Sequence, residues 1–248
     1  MKADELQKHT YATYVSLRFG LAAIAIFFPP LLYVVGWFQG IPPQRSMSVY
    51  YWATSLSSSS GDPSMRVWFV GLLFAISVCL ILYRGFSMKE NLLLNLAGGS
   101  GIGVAAFPMP FGCKDCLPIS LHYTCAVLLF LCIAMVSIVC AKETLHMIQD
   151  EKLRKTYLLK YRAIGAAMVL CPVIAFVFTW FPNAAANYVF FVEATGIYVF
   201  GYYWWTKSEE LTRSQAEFLA LQGRVGTREG TPGRLRTSPD EVSTRTGI

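Results

Sequence analysis

The hydrophobic positions of this chain fall in long unbroken runs rather than in an alternating or 3.6-residue pattern. Charged residues cluster between the runs, and six runs are long enough, at roughly 17–25 residues, to cross a bilayer as helix. They lie at about 13–38, 67–83, 91–111, 119–141, 163–182 and 185–206, the second being the shortest. The pattern predicts an all-α, polytopic membrane protein in which six transmembrane helices form one bundle over residues 1–206. The first run is too long for a signal-peptide core and lacks a small-residue cleavage site, so it is read as a retained helix. Pro29-Pro30 within it is expected to bend it, because proline removes a backbone donor and crowds the preceding turn.

Composition agrees. Of 248 residues, 54% are hydrophobic and 15% charged, against about 25% charged in soluble domains. The net charge of +6 is a topology signal and not a nucleic-acid footprint, since Lys and Arg stay on the cytoplasmic side. With the N-terminus inside, 18 of the 21 Lys and Arg residues fall on inner segments, and only Arg45, Arg66 and Lys114 fall outside. Both termini are therefore expected in the cytoplasm, in a multi-pass protein of the plasma or inner membrane. Residues 142–162 are expected to form a basic amphipathic connector on anionic headgroups. The tail, 207–248, should start as a short helix and then be disordered, being rich in Gly, Thr, Arg, Ser and Pro. It could recruit protein partners.

"GGSGIG" at 98–103 looks like a phosphate-binding loop, but such loops need a strand before them and a helix after. Inside a membrane run, Gly99 and Gly103, with Ala97, Gly101 and Ala105, instead suggest close helix packing.

The polar residues narrow the chemistry. No lysine lies within a run, which disfavours a retinal-type Schiff base. Only three histidines are present (His9, His122, His146), too few for a bis-histidine haem or a three-histidine zinc site inside the bundle. No metal or cofactor is expected. Cys113 and Cys116 form a CxxC in the outer 112–118 segment, read as a disulfide or as free thiols. Five further cysteines sit in the runs as small apolar residues.

Two ionisable residues remain at lipid depth, His122 and Glu193. Both fall in the outer half, Glu193 about 10 Å and His122 about 5 Å from the outer ends of their runs. Ionisable groups at depth face the bundle and are functional candidates by default. The outer 39–66 segment could complete a site with Ser46, Ser48, Tyr50, Asp62 and Arg66. A nucleophile–base–orienter arrangement would make His122 the base, Glu193 its orienter, and Ser48 or a water the nucleophile. Tyr50, Asp62 and Arg66 would then bind substrate. His122 and Glu193 are expected within direct or one-water reach of each other.

The order "SMSVYYW", "MRVWFVGLLFAISVCLILYRG", "NLAGGSGIGVAAFP" and "LHYTCAVLLFL" resembles a bacterial six-helix membrane family of uncharacterised function. More distantly, the chain is similar to eukaryotic DRAM-type and GPI-remodelling Frag-type membrane proteins. The shared positions are Ser48, Phe69, His122 with Ala126, and Glu193; the tail lies outside the resemblance. It implies lipid binding or remodelling, and membrane lipids as partners. A lipid-modifying enzyme, a proton-coupled carrier or lipid flippase, and a non-catalytic scaffold all accommodate these residues.

Overall fold

The computed structural model describes residues 3–54, 65–110, 120–178 and 188–214. The described residues are helical without strands. Helix α1 runs Ala3–Phe38, α2 Arg66–Leu82, α3 Met88–Ala106, α4 Leu121–Met135, α5 Lys142–Leu145, α6 Glu151–Phe178 and α7 Tyr188–Ser214. A 3-10 turn, Ser48–Tyr51, sits between α1 and α2, and a π turn, Val136–Cys140, joins α4 to α5. Helix α1 is continuous through Pro29-Pro30.

The six long helices close a ring: α1 packs on α2, α2 on α3, α3 on α4, α4 on α6, α6 on α7, and α7 back on α1. Leu21, Phe28, Leu32, Phe69, Leu73, Leu94, Ile133, Met168 and Trp204 fill its interior. The outside is apolar as well, with Phe27, Leu92, Phe176 and Phe191 all more than half exposed. Apolar surface on this scale suits a lipid environment and not water. Among the described residues, three stretches are long and apolar enough to cross a membrane: Glu5–Phe38, Leu121–Leu145 and Glu151–Phe178. Helix α2 is apolar but has only 17 residues.

The helices depart from the sequence expectation where tertiary contacts override hydropathy. The basic connector is not a separate helix over 142–162. Its first residues extend the α4 rod as α5, and from Glu151 it is the opening of α6. Helix α7 continues past 206 to Ser214, so the first residues read as tail are its last two turns. The reason is a buried polar knot. Lys207 Nζ donates to Thr144 Oγ1 at 2.7 Å and to Glu210 Oε2 at 3.0 Å. Tyr161 O–H donates to the same carboxylate oxygen at 2.8 Å. Lys207 and Glu210 are buried, and a buried charge is tolerable when paired and hydrogen-bonded.

The glycines of α3 also pack differently from the expected pairing of Gly99 and Gly103. A Cβ at Gly99 would meet nothing within 4 Å, whereas one at Gly98 would meet the Ser77 carbonyl of α2 at 2.6 Å. Gly101 faces the Ser77 hydroxyl and Gly103 the Cys125 thiol of α4. The close approach therefore uses Gly98 and Gly101 toward α2 and Gly103 toward α4.

Candidate active site at the loop end of the bundle

The site is built on the turn that ends α1. Gly40, at φ +70°, sits in the left-handed region, and two bonds close the turn: Ile41 N–H to Gly36 O at 2.9 Å and Gly40 N–H to Trp37 O at 3.0 Å. This is a Schellman cap, and Pro42-Pro43 then prevents the helix from resuming. The chain doubles back across the bundle mouth and docks on the first turn of α7, where Phe190 N–H donates to Arg45 O at 2.8 Å.

The next three residues carry the polar contacts. Ser46 Oγ lies 2.9 and 2.7 Å from the two Glu193 carboxylate oxygens, to which it donates, and Met47 N–H donates to Oε2 at 2.6 Å. Glu193 is one helical turn beyond Phe190, so one face of α7 holds the loop by both a backbone and a side-chain contact. Ser46 Oγ in turn accepts from Ser48 N–H at 3.1 Å. The carboxylate thus fixes the backbone on which Ser48 starts the 3-10 turn.

Ser48 points at α4. Its Oγ lies 3.0 Å from His122 Nε2, and His122 Nδ1 lies 2.8 Å from Phe107 O. A carbonyl can only accept, so Nδ1 carries the proton and Nε2 presents a lone pair to the Ser48 hydroxyl. The tautomer follows from the backbone. Phe107 precedes Pro108, which holds it extended (φ −98°, ψ 106°) and ends α3. Its carbonyl is thereby released from the helix ladder and meets the imidazole. Ser120 caps α4, its Oγ accepting from Tyr123 N–H at 3.3 Å; that places His122 in the first turn, 2% exposed.

His122, Ser48 and Glu193 are therefore gathered at one end of the bundle, linked through the backbone of the Ser46–Ser48 segment and not as a triad. Glu193 does not orient His122, as the sequence suggested; the Phe107 carbonyl does. The carboxylate acts one step away, on Ser46 and Met47. His122 and Glu193 meet through the Ser46–Ser48 segment, with no direct bond between them.

The expected substrate-binding residues separate. Tyr50 is 1% exposed, its ring 6.0 Å from that of Phe190 and closely packed on Gly36. Burial pushes its phenol up in pKa, and it packs as a core residue. Arg66, the first residue of α2, donates from Nε to Tyr51 O at 3.3 Å, with its guanidinium carbon 4.4 Å from the Tyr51 ring centroid and 5.5 Å from that of Trp52. Trp52 is fixed by its own bond to Met109 O at 2.9 Å. Asp62, Cys113 and Cys116 lie outside the described residues. Ser46 was named as one polar group that could complete the site but was given no role, and the Phe107 carbonyl was missed, for which Phe107-Pro108 after a glycine-rich helix was the signal.

Comparison with family models, characterised proteins and solved structures finds no match to this chain.

Proposed function

We propose that this protein spans the membrane six times with both termini in the cytoplasm, and that its outer end binds a membrane lipid and transfers or hydrolyses an acyl ester. The observation that carries this reading is the Ser48–His122 contact with the imidazole oriented by Phe107 O. A hydroxyl is a poor nucleophile until a base within hydrogen-bond reach accepts its proton. In the acylation step, Ser48 Oγ attacks the ester carbonyl carbon and its proton moves to His122 Nε2. The bond to the alcohol oxygen then breaks, and that oxygen takes the proton from Nε2. Water, or the hydroxyl of a second lipid, gives its proton to Nε2 as it attacks the acyl-serine, and Ser48 recovers the proton on release. Phe107 O stays bonded to the Nδ1–H throughout and stabilises the imidazolium. Glu193 and Ser46 are positioning residues, holding the backbone before Ser48. Arg66, stacked beside the same turn, supplies a cation suited to an anionic headgroup. The resemblance to lipid-remodelling membrane families points in the same direction.

The test is fatty-acid release or transfer from labelled phospholipid by the purified protein in nanodiscs. Product formation that is lost in Ser48→Ala and His122→Gln with the helical fold intact supports the proposal; no product from the parent across the common phospholipid classes overturns it.

A second reading, a proton-coupled carrier, is favoured by one observation: α7 bears buried or partly buried acids at both ends, Glu193 and Glu210, the latter beside Lys207. Uptake or flipping that depends on a pH gradient and survives Ser48→Ala would favour it over the enzyme.

A further inference from the structure

At the opposite end from Ser48, a groove of about 410 Å³ runs along the outside of the bundle between α6 and α7. That volume falls in the range of small-ligand sites. Ala163 and Ala167 of α6 and Val199 of α7 line its apolar length, while Thr156, Lys160 and Tyr202 stand toward one end. Ala163 and Ala167, one turn apart, leave room along this part of α6 because each presents only a methyl group.

The groove has a direction and a length. From Thr156 to Ala167 is eleven residues, or about 16 Å of helix. That is half of a hydrocarbon core about 30 Å thick. Its polar end lies where α6 begins and α7 ends, which the Lys/Arg distribution predicts to be the cytoplasmic face. A cation at the membrane boundary followed by one leaflet's depth of apolar trough is the shape of a single acyl chain hanging from its headgroup.

Charge selects the headgroup. Lys160 makes no ion pair among the described residues; its Nζ lies 5.3 Å from the Tyr157 ring centroid. The preceding turns of α6 carry Lys152, Arg154 and Lys155, and among the described residues only Lys155 of these is paired, to Glu151 at 2.8 Å. The mouth of the groove therefore keeps a positive surplus on the side where anionic lipids are found.

We propose that the α6–α7 groove is a binding site for an anionic phospholipid of the cytoplasmic leaflet, with the phosphate at Lys160 and one acyl chain along Ala163, Ala167 and Val199. This site is separate from Ser48 and His122 and stands whatever chemistry they perform.

Native mass spectrometry of the full chain in detergent, titrated with phosphatidylglycerol or phosphatidylcholine of identical acyl chains, tests the proposal. The parent should retain phosphatidylglycerol roughly fivefold more strongly, the effect of one interfacial cation on an anionic lipid. Lys160→Gln should erase that preference while leaving weak, equal binding of both lipids. Ala163→Phe with Ala167→Phe should abolish retention of both. Ala163 is exposed and Ala167 partly so, so the larger rings project outward, and circular dichroism verifies the fold. If the double variant misfolds, Lys160→Gln alone decides. Equal retention of the two lipids by the parent, or an unchanged preference in Lys160→Gln, overturns the proposal. So does a dimer of the parent that the groove-filling variant abolishes, which would make this face a contact between copies.

Discussion

Ser48 Oγ and His122 Nε2, 74 residues apart in the chain, are held 3.0 Å from each other at the mouth of a helical ring. Two independent devices set that distance. Glu193 pins the loop before Ser48, and a carbonyl freed by Phe107-Pro108 turns the imidazole. Imidazole and hydroxyl are thus held together by contacts within the chain itself.

If proton transfer through this pair drives the reaction, His122→Gln should lower kcat about 10²–10⁴-fold, the usual contribution of a positioned general base, with KM little changed. Ser48→Ala should lower it at least as far. Initial-rate kinetics in nanodiscs measure both, and a loss confined to KM would assign the pair to binding.

Glu193 should matter first to the loop. Glu193→Leu leaves the Met47 N–H and the Ser46 hydroxyl without their acceptor, at about 1–3 kcal/mol for each unsatisfied group. Glu193→Gln retains one acceptor oxygen and should lose less. Thermal unfolding in detergent should rank the parent above Glu193→Gln and Glu193→Gln above Glu193→Leu; an unchanged Tm in Glu193→Leu would remove the anchoring role.

Helix α3 offers a contrast within one glycine-rich stretch. Gly98→Leu must displace the Ser77 carbonyl, which is backbone and cannot swing away, whereas Gly99→Leu points into open space. The first should lower Tm strongly, overpacking commonly costing about 1–3 kcal/mol, and the second should leave it nearly unchanged. Equal effects would contradict this assignment of faces.

The knot at the other end should behave as a unit. Lys207→Met strands a buried carboxylate, and breaking such a pair costs about 3–5 kcal/mol. The double variant Lys207→Met with Glu210→Met should be more stable than Lys207→Met alone. Additive losses in unfolding experiments would mean that the two residues do not act as a pair.

These contrasts mark what the sequence made legible. Long apolar runs announced the helices, because hydropathy alone decides which segments avoid water. His122 and Glu193 stood out because ionisable groups are scarce in such runs. Their connection was not readable. It passes through Ser46, which the sequence offered as a candidate polar group but without a role, and through the Phe107 carbonyl, which belongs to every residue type. Glycine spacing likewise indicated close packing but not the faces, since Gly99–Gly103 and Gly98–Gly101 both present small residues at helical intervals. The helical start of the 207–248 segment was legible, but its continuity with α7 was not, because the contacts of Lys207 and Glu210 with Thr144 and Tyr161 come from distant parts of the chain.

The most direct test of the nucleophile–base assignment is the mass of the Ser48 peptide after exposure of the folded protein to a fluorophosphonate, which phosphonylates activated serines with loss of fluoride. An adduct is expected on Ser48 that disappears in His122→Gln and persists in Lys160→Gln. A Ser48 left unmodified in the folded parent, or modified equally with and without His122, would contradict it.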